Sequence, residues 1–106
     1  MGDSLLERVR TAAAKRVLYL PHAILQMSRP DRRIDPAEVE ETLLHGETVE
    51  EYPDDPRGES CLLLGRGSLG RRIHVVCAPK PDYLAVISAY LPDPQRWLPD
   101  YKTRRK

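Results

Sequence analysis

Residues that could catalyse proton transfer or bind phosphate lie towards the C-terminal end of the sequence. His74 interrupts an apolar run, and its imidazole could act as a general acid or base because it titrates near neutrality. Tyr90 ends the next apolar run and could donate a hydrogen bond to a phosphate, whereas Arg96, which follows a Pro-Asp-Pro turn, could bind one. A structural interpretation stays open for His74, as a half-buried strand residue, and for Tyr90, as a cap on the core.

His22 and Trp97 are further candidates of the same kind. His22 follows Leu20-Pro21 at the start of a predicted helix, where it could be catalytic or could serve as a helix-cap or turn residue. Trp97 could stack on a nucleic-acid base, or it could close the core as the only tryptophan of the chain. The two histidines would meet only if the first strand pairs into the sheet. The candidate catalytic residues are therefore His74, Arg96, Tyr90 and His22.

Charge is segregated along the chain although the net charge is only +1. Ten acidic residues occur between positions 35 and 59 against the single base Arg57, and the chain ends in the basic stretch 102–106. A basic face for nucleic acid can therefore exist on a nearly neutral protein. The alternatives are solvated hairpin charges and a frayed C-terminal end. The predicted RNA-binding residues are Arg66, Arg71, Arg72, Trp97, Arg104 and Arg105.

Helix signals indicate three helices. Ser4 and Glu7 form a capping box that opens a short amphipathic helix, which we expect to lie outside the core as an N-terminal extension, residues 1–15. A short strand over 16–20 and a helix over 22–27 follow. The next helix has Asp35 as N-cap and Pro36 at its first position, and Gly46 is the expected left-handed stop.

Three apolar runs predict strands over residues 60–66, 72–78 and 83–90, and their short loops favour an antiparallel meander. The expected fold is α+β, with two helices packed on one face of a small antiparallel sheet that ends in this meander. One domain, residues 16–101, would be followed by a basic tail, residues 102–106. Alternation directs Ile73, Val75 and Cys77 towards the helices and His74 onto the open face of the sheet.

The cysteines do not indicate a metal site. Cys61 and Cys77 are far apart in sequence and both lie in apolar runs, where a reduced cysteine behaves as a small hydrophobic residue. We therefore expect no metal and no cofactor. No apolar stretch near the N-terminus is long enough for a signal peptide or a membrane helix, so a cytoplasmic protein without a membrane partner is expected.

Several motifs resemble those of a bacterial domain-of-unknown-function family of small proteins, which itself looks like a distant branch of the RelE/ParE toxin superfamily, nearest to BrnT-type toxins. The resemblance covers about residues 16–104. Its motifs are His22-Ala23-x-x-x-Met27, Gly46-Glu47-x-x-Glu50-x-Tyr52-Pro53-Asp54-Asp55, Leu64-Gly65, His74-Val75-Val76 and Tyr90-x-Pro92-Asp93-x-x-x-Trp97.

The resemblance implies a type II toxin that cleaves mRNA without a metal, free or on the ribosome, and that is held by an antitoxin protein, for which a DNA-binding or zinc-finger protein is the candidate. In that reaction the ribose 2′-hydroxyl attacks the adjacent phosphate. His74 would be the acid–base group, Arg96 the cation beside the phosphorane, and Tyr90 would orient the phosphate. The alternative is a non-catalytic module of the same fold that binds a protein or nucleic acid.

Overall fold

The computed structural model describes residues 4–106, so the first three residues of the predicted N-terminal extension lie outside the described residues. The helices are α1 (Leu5–Lys15), α2 (Pro21–Met27) and α3 (Pro36–His45). The strands are β1 (Val17–Tyr19), β2 (Glu47–Tyr52), β3 (Ser60–Arg66), β4 (Arg72–Pro79) and β5 (Leu84–Tyr90). Single 3-10 turns occupy Pro30–Arg32 and Ser68–Gly70. Over the described part of the chain, no helix combines the length and the apolar character needed to cross a membrane.

The five strands form one mixed sheet in the order β1-β5-β4-β3-β2. The pairs β2–β3, β3–β4 and β4–β5 are antiparallel, which confirms the predicted C-terminal meander. β1 lies parallel to β5, with Val17 opposite Leu84. The α+β class is therefore confirmed. The expectation of a purely antiparallel sheet is wrong, because the last strand of the meander, β5, lies beside β1 and runs in the same direction.

All three helices contribute to one hydrophobic core against one face of the sheet. Leu5, Val9 and Ala12 of α1 are buried there with residues of α2, α3 and the strands. The expectation that α1 lies outside the core, and that two helices cover the sheet, is therefore wrong. The side chain of Arg10 also binds α1 to the end of α3, donating to the carbonyl oxygens of Leu43 at 3.1 Å and Gly46 at 2.9 Å.

Gly46 ends α3 for a different reason from the one expected. Its backbone is extended, with φ −72° and ψ 170°, so the predicted left-handed stop is wrong. A Cβ atom at this position would lie 2.5 Å from the carbonyl oxygen of Thr42 and 2.8 Å from that of Leu64. Glycine is needed here because the end of α3 passes directly against β3, and a side chain would collide with the backbone of both elements.

Candidate functional site

The face of the sheet away from the helices carries the polar residues of the candidate site. His74 stands on this face between Leu64 of β3 and Tyr90 of β5, its partners in register. Residues 91–106, here called the C-terminal cap, fold back over this part of the face. Alternation therefore places His74 on the predicted side of the sheet, but the prediction that this side is open is wrong, since His74 is fully buried.

The imidazole of His74 is enclosed by aromatic rings and by the backbone of the cap. The Trp97 ring meets it edge-on with centroids 4.7 Å apart, and the Tyr90 ring does so at 5.4 Å. Nε2 lies 2.8 Å from the carbonyl oxygen of Tyr101. Because a carbonyl only accepts, Nε2 carries the proton in this contact. Nδ1 is buried, and no hydrogen-bond partner for it is found among residues 4–106.

These surroundings hold His74 neutral. Burial lowers the pKa of His74, and this effect outweighs the hydrogen bond to Tyr101 and the nearby Glu50 carboxylate, both of which favour the charged form. A neutral imidazole with a free Nδ1 lone pair can accept a proton. In the described conformation that atom has no contact with solvent, so chemistry at His74 requires the cap to move.

Glu50 of β2 anchors the cap through Arg104. The Arg104 guanidinium donates from Nε to Oε2 of Glu50 at 2.7 Å and from Nη2 to Oε1 at 3.0 Å. Tyr52 donates its hydroxyl proton to the same carboxylate at 2.6 Å. These hydrogen bonds, that from Arg104 first, lower the pKa of Glu50. The guanidinium also lies 4.5 Å from the centroid of the Trp97 ring and so holds the ring against His74.

The basic tail, residues 102–106, is folded onto the protein. Lys102 pairs with Glu47 at 3.5 Å. An isolated β-bridge joins Trp97 to Arg104, and Arg105 donates from Nε to the carbonyl oxygen of Pro94 at 2.7 Å. The tail is thus not a frayed end. Two of its cations, Lys102 and Arg104, are paired with carboxylates of the edge strand β2 and are not free to bind phosphate.

A groove lies beside the cap, at the end of β5. Its volume is about 370 Å³, and residues from α2, the first 3-10 turn, β5 and the cap line it: Gln26, Arg32, Tyr90, Leu91, Asp93, Arg96, Trp97 and Arg104. Tyr90 and Arg96 therefore share one groove, as predicted, while His74 lies beneath the Trp97 ring and not on the groove wall. Arg96 is largely exposed, and its nearest carboxylate is that of Asp93 at 4.0 Å.

The predicted RNA-binding residues Arg66, Arg71 and Arg72, at the ends of β3 and β4 and in the loop between them, do not form one free basic face. Arg71 donates to Glu38 Oε1 at 3.0 Å and also reaches the carbonyl oxygen of Arg33. Burial alone would raise the pKa of Glu38, but hydrogen bonds from Arg71 and from the backbone amides of Asp35 and Ser68 outweigh it and lower the pKa. Arg71 thus ties this loop to α3.

Arg66 and Arg72 lie opposite each other in the β3–β4 register. They line a separate cavity of about 570 Å³ together with Glu41, His45 and Glu47, among other residues. Two carboxylates in the same cavity reduce its attraction for a polyanion. These two arginines therefore do not contribute to the groove at the end of β5.

His22 is exposed in the first turn of α2. β1 does pair into the sheet, yet the aromatic and hydrogen-bond partners of the His74 ring found within residues 4–106 are Tyr90, Trp97 and Tyr101, and His22 is not among them. The two predicted histidines are therefore not brought together.

Sequence reasoning missed Glu50, Arg32 and Gln26. Glu50 belongs to an acidic stretch and to one of the motifs of the resemblance but was given no role, although the spacing Glu50-x-Tyr52 on a strand places both side chains on one face. Nothing in the sequence relates Arg32 or Gln26 to the end of β5. No group of three or more His, Cys, Asp or Glu side chains within residues 4–106 is arranged to hold a metal ion.

Comparison with known proteins gave one finding. A family model described as Domain of unknown function (DUF4258) matches residues 19–91. The matched range includes His22, His74 and Tyr90 and ends where the C-terminal cap begins, so Arg96, Trp97 and Arg104 lie beyond it. No curated protein and no solved structure was found to match the chain.

Proposed function

The chain belongs to the family Domain of unknown function (DUF4258), as the resemblance of its motifs to such a family predicted. We propose that it is a toxin of the RelE/BrnT kind that cleaves RNA without a metal. The observation that carries this proposal is the groove at the end of β5. Tyr90 and Arg96, which come from a strand and from a turn, both line it, and the Tyr90 ring contacts His74. The order of one strand, two helices and an antiparallel meander after α1 also agrees with the proposal.

Each group in the groove has a distinct task in phosphodiester cleavage. Arg96 supplies a positive charge for the phosphorane, since its side chain is exposed and only weakly paired with Asp93. Tyr90 donates a hydrogen bond to a phosphate oxygen. Burial raises the pKa of Tyr90, so the phenol keeps its proton at neutral pH.

His74 exchanges protons with the reacting oxygens once the Trp97 ring has moved aside. Its Nδ1 lone pair is available, and its lowered pKa favours the basic form. Movement of the cap is feasible because its anchors include ion pairs at the protein surface, such as Arg104–Glu50 and Lys102–Glu47.

An antitoxin protein is the proposed partner, and the cytoplasm the proposed location. The acidic residues on the exposed side of α3, Glu40 and Glu41, suit contact with a basic segment of such a partner.

Expression of the Arg96→Ala variant tests the proposal. Loss of a positioned cation should reduce RNA cleavage about a hundredfold or more and relieve growth arrest. Arg29→Ala is the matched control, because it also removes one arginine charge, but from a residue that does not line the groove. RNA cleavage by wild type that survives Arg96→Ala unchanged would contradict the assigned role, and absence of both cleavage and growth arrest for wild type would contradict the proposed activity.

The complete burial of His74 favours a second candidate function, a non-catalytic module of the same fold that binds a protein or nucleic acid. In that case His74 and Trp97 serve only to dock the cap. Wild-type protein would then bind its partner without any cleaved product, and Arg96→Ala would alter affinity alone.

A further inference from the structure

We propose that Arg32 and Arg96, together with the Tyr90 hydroxyl, form a binding site for a phosphate group in the groove at the end of β5. The inference deepens the proposed function and rests on it where it names RNA as the source of the phosphate. It adds Arg32, a residue from the 3-10 turn after α2, to the groups that would hold the substrate.

Arg32 presents an unsatisfied donor at the groove. Its Nε atom is buried and has no hydrogen-bond partner among residues 4–106. The nearest carboxylate oxygen, Oδ2 of Asp31, lies 3.6 Å from Nε, too far for a hydrogen bond. The side chain as a whole keeps 35 % of its surface exposed, so an incoming ligand can reach the guanidinium. Asp31 is therefore an ion-pair partner without a hydrogen bond, and the exposed part of the Arg32 guanidinium can bind an anion in the groove.

Two other donors converge on the same groove without strong competitors. Arg96 keeps 79 % of its side chain exposed and has only the 4.0 Å contact with Asp93. The Tyr90 hydroxyl stays protonated, since burial raises its pKa, and no hydrogen bond of this hydroxyl is found within the described residues. Guanidinium groups bind phosphate through paired N–H donors, so two arginines and a phenol suit its oxygens.

The remaining charges of the groove do not cancel this attraction. Arg104 is already neutralised by Glu50 and contributes little. Asp93 opposes an anion, but its Oδ1 accepts from the backbone amide of Gln95 at 2.8 Å and so stays directed to its own turn. The volume of about 370 Å³ falls within the range of roughly 300–1,000 Å³ typical of small-molecule sites. A phosphate with an attached nucleoside is therefore of suitable size.

Titration of the full chain with inorganic phosphate, followed through the arginine Nε–H signals by NMR, tests the site. Chloride at matched ionic strength removes the contribution of general screening. The Arg32 and Arg96 signals should shift and saturate together. Arg32→Gln should weaken phosphate binding about tenfold or more, because a hydrogen bond to a charged group is lost.

Arg33→Gln is the matched control, since Arg33 is the next residue, carries the same charge, is 80 % exposed and does not line this groove. Arg96→Gln, at an exposed position, provides a second variant if Arg32→Gln fails to fold. An Arg32 signal that does not saturate, or equal weakening by Arg32→Gln and Arg33→Gln, would overturn the inference.

Two further ligands identify the source of the phosphate. A dinucleoside monophosphate that reproduces the shifts assigns the site to the RNA backbone, whereas shifts with a nucleoside 5′-monophosphate alone assign it to a free nucleotide. Phosphate binding in a wild-type protein that cleaves no RNA leaves this site standing and refutes only the proposed ribonuclease activity.

Discussion

Replacement of His74 by alanine should destabilise the protein strongly, because the imidazole is the centre of the contacts beneath the C-terminal cap. The change removes edge-on contacts with Trp97 and Tyr90, each worth about 0.5–1.5 kcal/mol beyond the buried area. It also leaves the Tyr101 carbonyl oxygen without its donor, at a cost of about 1–3 kcal/mol. Allowing for partial collapse of the cavity and for water reaching the carbonyl, the expected loss is about 3 kcal/mol at pH 7.5.

The pH dependence of the free energy of unfolding, compared between wild type and His74→Ala, isolates the contribution of the His74 imidazole. The pKa of His74 is lower in the folded protein than the value of about 6.5 in an unfolded chain. Below that value the unfolded chain takes up a proton that the folded protein does not bind. The free energy of unfolding therefore falls as the pH falls from 7 towards the folded-state pKa, by up to about 1.4 kcal/mol per pH unit. His74→Ala should lose this slope.

Urea unfolding between pH 5 and 7.5 measures both effects. His45→Ala is the control, because His45 is exposed at the end of α3 and its contact with Glu41 spans 3.8 Å. It should keep both the stability and the pH slope of wild type. A loss below about 1 kcal/mol for His74→Ala, or an unchanged slope between pH 5 and 7, would refute the assignment of His74 as a buried neutral group.

Other substitutions address the cap and the close approach at the end of α3. Arg104→Gln should raise the pKa of Glu50 towards its ordinary value, which carboxyl NMR titration checks. It should lower the free energy of unfolding by at most about 1 kcal/mol, measured by urea unfolding, because the arginine is more than half exposed. Deletion of residues 102–106 should shift the fluorescence of Trp97, the only tryptophan, to longer wavelength as water reaches the ring, and an unchanged spectrum would show that the cap holds without its tail. Gly46→Ala should cost about 1–3 kcal/mol in thermal or urea unfolding, because the new methyl group meets backbone oxygens; a neutral result would mean that α3 can shift freely.

Local signals in the sequence were sufficient for the meander and for the side of the sheet that His74 occupies. Two short loops required antiparallel neighbours, and strict alternation along β4 separates His74 from Ile73 and Val75. The capping box of α1 also appears as expected, with the Ser4 hydroxyl accepting from the Glu7 amide at 3.1 Å. Each of these features depends on residues within a few positions of one another.

The features that could not be predicted depend on contacts between distant residues. Arg104 and Glu50 lie 54 residues apart, and only contacts of this kind show that the tail covers the sheet. The burial of Val9 likewise depends on strands that come much later in the chain. Opposite charges in two segments were apparent in the sequence, but charge alone does not specify which carboxylate an arginine will meet.

The parallel pairing of β1 with β5 constrains the order in which the protein folds. The antiparallel pairs β3–β4 and β4–β5 join neighbours along the chain and can form through closure of short loops. β1 precedes its partner strand β5 in the chain, and α2, α3 and the strands β2 to β4 lie between them. The β1–β5 pair therefore closes a much longer loop than the antiparallel pairs do, and a nascent chain that has not reached β5 lacks both this edge and part of the surface on which the C-terminal cap docks.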